Sequence, residues 1–204
     1  MKDIKEKVWT IQKNDDGTGL IMSYKGEETD IVFPQEVDGV KIVGIANRKG
    51  KTPAIYSQIT SVEIPKGYEI IGSSAFLECV ALKSVKIPFT VQRIGNKAFM
   101  GCSSLETVVI PPRICDTFDC IGKWMFRDCV ELKDVYVLNQ DWEIRDSAAF
   151  RGCEKVRVHC LSDSKIKQRV KKNQFEVMSE EELKSLAEEY YGETYSEIEM
   201  QLKD

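Results

Sequence analysis

Apolar residues along this chain recur in short blocks rather than in long stripes. Residues 71–88 read IGSSAFLECVALKSVKIP and residues 94–111 read IGNKAFMGCSSLETVVIP, with Ile, Gly, Ala, Phe, Cys, Leu, Val, Ile and Pro coinciding at an offset of 23. A third copy opens at Ile121 (IGKWMFRDCVELKDVYVL) and a fourth at Ile144 (IRDSAAFRGCEKVRVHC), so Phe76, Phe99, Phe126 and Phe150 stand 23, 27 and 24 residues apart. Upstream, Ile59, Val62, Ile64 and Pro65 match the second half of the unit, and Ile31, Phe33 and Pro34 match its strand alone. A fixed period of this length marks a repeat architecture, in which one unit cannot bury its apolar face by itself and does so by stacking on its neighbours.

Within the unit, Leu82-x-x-Val85-x-Ile87 has leucine-rich-repeat spacing. Val85 and Ile87 point to one side of a short strand and Lys86 to the other. Each coil is therefore expected to supply one strand, and strands recurring in one sense stack as a parallel sheet about 4.8 Å apart. Pro65, Pro88 and Pro111 follow the last strand residue and end it, because a proline there leaves the ladder intact. Gly72, Gly95 and Gly122 follow an Ile, as expected where the chain turns sharply, and the Ala-Phe pair then drives a large ring into the core beside a small residue.

The two ends read as caps. Val8, Trp9 and Ile11, the polar turn Asn14-Asp15-Asp16-Gly17, and Leu20, Ile21 and Met22 predict a hairpin covering the first coil. After Cys160 the pattern changes: Asp163 to Lys172 reads as helical and Phe175 to Met178 as extended. Ser179-x-x-Glu182 is a capping box opening a helix with Leu183, Leu186, Ala187 and Tyr190 on one face, a helix that should close the stack. The expected fold is thus α/β, a short leucine-rich-repeat solenoid with a parallel sheet on one face. Residues 1–30 form its hairpin cap, 31–160 a solenoid of about five to six coils, and 161–204 a C-terminal helical cap with an acidic tail.

The unit I-G-x-x-A-F-x-x-C-x-x-L-x-x-V-x-I-P resembles the BspA-type leucine-rich repeat of bacterial proteins over roughly residues 31–160. The preceding stretch DGTGLIMSYKGEETDIVFPQEVDGVKI resembles the opening segment of such proteins, with a hairpin before the first coil. The resemblance implies the solenoid fold and, for function, surface adhesins and host-protein binders; it brings no catalytic residues and no cofactor. The chain departs from the pattern at Leu138 (Pro in the family), at Arg145 (Gly in the family) and across residues 46–58, which lack the Ala-Phe-x-x-Cys signature.

The 204 residues are 42% apolar and 30% charged, a composition that folds around one core. With 29 basic and 33 acidic residues the net charge is -4, so no global field draws the chain to nucleic acid. Nine acids against Lys184 and Lys203 give residues 179–204 a net charge of -7, so the acidity is concentrated in the tail. The longest apolar runs, such as Val108-Val109-Ile110, are far short of a membrane span. The opening MKDIKEKVWTIQK mixes acids with lysines where a signal peptide needs an apolar stretch. The expectation is a cytoplasmic protein as written, with a cell-surface or secreted one as the alternative if an export signal precedes this start.

Candidate chemistry is sparse. Cys79, Cys102, Cys129 and Cys153 each lie three residues after the core Phe and are expected to form a buried column of thiols. Stacked coils place such Cα atoms about 5 Å apart, so the redox compartment, not distance, decides whether they oxidise. Cys115 and Cys120, in the extra residues of the 27-residue coil, are the candidates for an exposed or paired thiol, but a C-x4-C pair without a nearby histidine makes no zinc site, and no metal is expected. His159 adjoins Cys160, yet no nucleophile motif accompanies it, and a polar residue facing solvent at the end of the last strand is the ordinary reading. No phosphate-binding glycine motif appears, so no cofactor is expected and the chain reads as a non-enzyme. The basic run Asn47-Arg48-Lys49-Gly50-Lys51 reads as a solvated loop rather than a phosphate site.

The informative surface is the sheet face outside the coil interior: Glu63, Lys86, Val109 and Tyr136, flanked by Ser84, Thr107 and Asp134, with Leu138 completing an apolar patch around Tyr136. Such a ladder presents side chains at regular intervals on a rigid frame and favours recognition of a protein partner, although a merely solvated face comes equally with the fold. Trp124, on the convex side, and Phe118, in the loop from Pro112 to Cys120, are the candidate anchors outside it, Trp124 being as readily explained by packing on Met125. A protein-interaction module is the expected function. The alternatives are an adhesin seen without its export signal and an assembly protein pairing copies through Leu183, Tyr190, Ile198 and Leu202. Thiol labelling of the native protein is expected to modify Cys115 or Cys120 well before Cys79 or Cys102; equal rates at all four would contradict the buried column.

Overall fold

The computed structural model describes residues 8–46, 57–114, 122–139, 148–164, 166 and 174–203. The expectations for Phe118, Cys115, Cys120, Arg145, the basic run from Asn47 to Lys51 and most of the helix from Asp163 to Lys172 lie outside them. The chain begins with β1 (Trp9–Lys13), β2 (Gly19–Tyr24), β3 (Asp30–Val32), β4 (Glu36–Val37) and β5 (Val40–Ile45). Short strands then alternate: β6 (Ser61–Glu63), β7 (Ile70–Ile71), β8 (Ser84–Lys86), β9 (Arg93–Ile94), β10 (Thr107–Ile110), β11 (Asp134–Val137), β12 (Arg157–Cys160) and β13 (Phe175–Val177). Two helices follow, α1 (Glu180–Tyr191) and α2 (Tyr195–Lys203). No helix among the described residues is long and apolar enough to cross a membrane.

The coils form a solenoid of about five turns. One sheet runs β13-β12-β11-β10-β8-β6-β3, all parallel, as the repeat predicts. Val62, Val85, Val108, Val135 and Val158 point into the coils, and the residues beside them point out. A second sheet, β1-β2-β5-β7-β9, was not expected. The predicted hairpin β1/β2 belongs to it, with β2 parallel to β5, so the coils that end in β6, β8 and β10 carry two ladders rather than one.

The second ladder changes the reason for the glycines. Gly72, Gly95 and Gly122 do not adopt a left-handed conformation; they lie where successive coils approach backbone to backbone. A Cβ on Gly72 would sit 2.7 Å from the Ile45 carbonyl oxygen, and one on Gly95 or Gly122 would run into the backbone of Ser73 or of Gly95. The left-handed residues are instead Ser74, Lys97 and Trp124, two positions after each glycine, and Glu78, Gly101 and Asp128, four positions further on.

Inside the coils Phe76, Phe99, Phe126 and Phe150 stack nearly parallel, with centroids 5.3, 5.6 and 5.7 Å apart. Beside them runs the thiol column. Cys102, Cys129 and Cys153 each donate an S–H bond to the phenylalanine carbonyl of the preceding coil, Phe76, Phe99 and Phe126, at 3.0, 3.0 and 2.9 Å. Burial and then the neighbouring Cys79 push the Cys102 thiol well above its ordinary range, so it is held protonated. At the first coil Trp9 packs on Tyr24 and Phe33 at 4.7 and 5.2 Å and seals the apolar end.

Because the glycine contacts are with backbone, which cannot yield as a side chain can, Gly95→Ala is expected to destabilise the protein by about 1–3 kcal/mol in urea unfolding. An unchanged midpoint would show that the coils are looser than this packing.

Candidate functional site

The capping box at Ser179 forms as predicted: Glu182 N–H donates to Ser179 Oγ at 3.2 Å, and Ser179 N–H to the Glu182 carboxylate at 2.7 Å. Gly192, at φ 71, then ends α1, and Thr194 with Glu197 opens α2 in the same way, so the tail is two helices rather than one. They do not close the stack end-on. Among the described residues β13 lies on the last coil, and the helices fold back over the outer face and the strand ends of the main sheet. Leu183, Ala187 and Ile198 build a second core there with Phe89, Val109, Leu138 and Leu161. The residues considered for pairing between copies, Leu183, Tyr190, Ile198 and Leu202, pack within this one chain.

Tyr190 fixes the helix on the sheet. β8 and β10 share one paired position, Ser84 with Thr107. Beyond it the Tyr190 hydroxyl stands in for the missing strand neighbour, accepting from Ile87 N–H at 2.7 Å and donating to the Val85 carbonyl at 3.2 Å. Burial pushes its phenol well above the ordinary range, which keeps the hydroxyl able to donate.

These contacts divide the predicted face. Val109 and Leu138, expected as parts of an exposed patch, are 3% and 7% exposed because the helices cover them. Tyr136 packs against the same core and stacks on His159 at 4.4 Å. His159 Nε2 lies 2.7 Å from Asp134 Oδ1, so Asp134 and the histidine satisfy each other on the outer face; Cys160, next in the strand, points into the core. Trp124 is half-buried between Lys97, 4.9 Å from its ring centroid, and Arg127 at 5.8 Å, and does not line the open part of the face.

The uncovered part is a groove of about 650 Å³ over β3, β6, β8 and β10, walled by α1. Its floor is a ladder of Asp30, Ser61, Ser84 and Thr107, and beside it run Val32, Glu63 and Lys86, the last two 3.8 Å apart and half-exposed. Val109 and Tyr136 bound it on one side, and Leu186, Glu189 and Tyr190 of α1 rise over it. Six of the predicted residues, Glu63, Ser84, Lys86, Thr107, Val109 and Tyr136, thus share one groove, while Asp134 and Leu138 lie outside it. The sequence reading missed Asp30, Val32 and Ser61, although they occupy the registers of Ser84 and Lys86 one and two coils upstream, and it missed the helix wall, for which the repeat carries no signal.

The model of the BspA type leucine rich repeat region matches residues 55–181 in six copies. The chain belongs to this family. Leucine-rich-repeat proteins generally mediate protein–protein interaction, and the BspA-type repeat and fold are typically non-enzymatic. The T. pallidum leucine-rich repeat protein of known structure is 26% identical over 86% of this chain and 82% of its own, with a TM-score of 0.65. A leucine-rich repeat protein from Bacteroides capillosus, 23% identical with a TM-score of 0.50 over 64% of this chain and 94% of its own, shares the fold. No curated protein sequence matches the chain. BspA-type coils account for the sheet and the core; α1, which gives this chain's groove its wall, lies almost wholly beyond the matched repeats.

Removing the Tyr190 hydroxyl leaves a buried N–H and a carbonyl without a partner. Tyr190→Phe is therefore expected to cost about 1–3 kcal/mol in denaturant unfolding and to speed exchange of the Ile87 amide. Wild-type stability and exchange would show that the hydroxyl does not stand in for the ladder.

Proposed function

We propose that this chain is a non-enzymatic protein-interaction module that holds a segment of a partner protein in the groove between its sheet face and α1. The observation that carries the reading is the groove itself, a rigid floor with one hydroxyl or carboxylate per coil and a mixed wall of apolar and acidic side chains. Such a surface offers hydrogen bonds at strand spacing and an apolar anchor site near Tyr190, with little ordering cost on the module's side. Its volume suits several residues of a peptide or loop, within the range of concave binding sites. The groove holds Asp30, Glu63 and Glu189 against Lys86, so a partner segment with basic or amide-rich character complements it best. The Pro112 to Cys120 loop, with Phe118, remains a candidate second contact.

The test is capture of partners from a cell lysate and, separately, from extracellular matrix proteins. Wild type is compared with Ser84→Arg/Lys86→Glu, which fills and recharges the groove floor, and with Lys155→Glu on the surface elsewhere. The reading predicts a partner bound by wild type and Lys155→Glu but weakened about tenfold or more by the groove variant. Its source separates an intracellular module from an adhesin. Equal capture by all three proteins would contradict the groove as the binding site.

A further inference from the structure

The N-terminal cap protects the two sheets unequally. Hairpin β1/β2 continues the second sheet, whereas in the main sheet β3 is the terminal strand, and among the described residues nothing pairs with its outer side. Trp9, Tyr24 and Phe33 close the apolar core beneath it, so the burial requirement at this end is met, while among the described residues the backbone requirement is not. The direction of the unmet groups follows from register. Ser61 N–H donates to Thr29 O and Phe33 N–H to Glu63 O, so Thr29, Ile31 and Phe33 turn their backbone groups toward β6. In a parallel ladder the alternate residues, Asp30 and Val32, turn theirs outward. The Val32 side chain is 65% exposed.

Beside this edge lies a recess of about 470 Å³ lined by Val8, Trp9, Tyr24, Glu28 and β3. Among the described residues its lining includes two carboxylates and no cation. Both carboxylates are held in place and ionised: Asp30 accepts from Ser61 and Thr60 hydroxyls at 2.6 and 2.7 Å, and Glu28 from the Tyr24 hydroxyl. These bonds hold both acids below the usual carboxylate range. A second copy of this chain would bring the same two acids against themselves, an unfavourable pairing at an edge.

We propose that the outer edge of β3 takes up an extended segment of a partner protein as an added strand, one alternating basic and apolar residues. The segment's backbone bonds to Asp30 and Val32; its basic side chains lie on the outer face, with their charged heads at Glu28 and Asp30 and their stems along Val32, and its apolar side chains turn to the opposite face, over the rim of Trp9. This is strand addition, in which the main chain supplies affinity and alternate side chains supply choice. The surface adjoins the groove but stands on the open edge, and it does not require the groove to be occupied.

The probe is a synthetic octapeptide of alternating lysine and valine, titrated into the full chain and followed by backbone amide signals of residues 28–33 and by hydrogen exchange. A glutamate–valine octapeptide is the comparison. Val32→Pro deletes a donor that faces outward and trims the exposed side chain beside it while leaving the bonds to β6 in place, and Glu28→Gln/Asp30→Asn removes the charge without touching the edge backbone. The proposal expects saturable binding of the lysine peptide, protection of the Val32 amide, and affinity about tenfold or more weaker in each variant and for the glutamate peptide. Equal binding of the two peptides, unchanged affinity in a folded Val32→Pro protein, or no saturable shift at these amides up to about 1 mM lysine peptide would overturn it. Should Val32→Pro fail to fold, the charge variant and the peptide comparison decide alone. The groove variant Ser84→Arg/Lys86→Glu leaves the edge intact, so loss of partner capture there and loss of peptide binding here are separate results.

Discussion

Each coil must lie on the one before it at strand spacing, and every other feature of the repeat answers to that. At the main ladder the demand is for residues that alternate inward and outward, met by Val85 and its counterparts in every coil. At the second ladder the backbones come so close that no side chain fits, hence Gly72, Gly95 and Gly122. Between the ladders the space is filled by one large ring and one small thiol per coil, Phe76 with Cys79 and their successors, which stack on themselves because the coils do. The thiol also gives the preceding coil's phenylalanine carbonyl, which already accepts the N–H of its own coil's cysteine, a second bond that runs from coil to coil, and this gives the column a structural role independent of redox chemistry.

Stacking leaves an outer sheet face unspecified, and this chain treats its two halves differently. Toward the later coils the outward residues at the strand ends, Val109, Leu138 and Leu161, turn apolar, and α1 and α2 cover them; burying side chains such as Leu183 and Ile198 contributes about 1.5–3 kcal/mol each. Toward the early coils the face remains polar and uncovered. The boundary is where β8 and β10 part and the Tyr190 hydroxyl fills the gap. The groove is thus a product of two requirements: the helix must be pinned to the sheet, and the pin can enter only where the ladder opens.

Much of this was legible in the order of residues, and what was not has a physical cause. The coil period, the inward valines, the thiol column and the Ser179 capping box follow from local spacing, and local spacing determines them. The second ladder was invisible because Ile70–Ile71 and Arg93–Ile94 are too short to show alternation. Glycine at a turn and glycine at a close approach are the same letter, and only the neighbouring coil tells them apart. The amphipathic face of α1 announced a buried side without naming the surface it meets. A clue was present nonetheless: Val109 stands where other coils carry Glu63 and Lys86, and Leu138 stands where a proline ends the strand. Apolar residues at outward positions marked the half of the face that the chain covers for itself.

The central claim is that the helices and the solenoid form one cooperative unit, with the groove as its fixed product. Native-state hydrogen exchange across a denaturant series tests it most directly. The account predicts that the interior amides of α1 open with the same free energy as those of β10, β11 and β12, because the second core and the Tyr190 bonds tie them together. Exchange of α1 through a separate, much less costly opening, with the sheet still protected, would contradict it and would make the groove wall a movable arm.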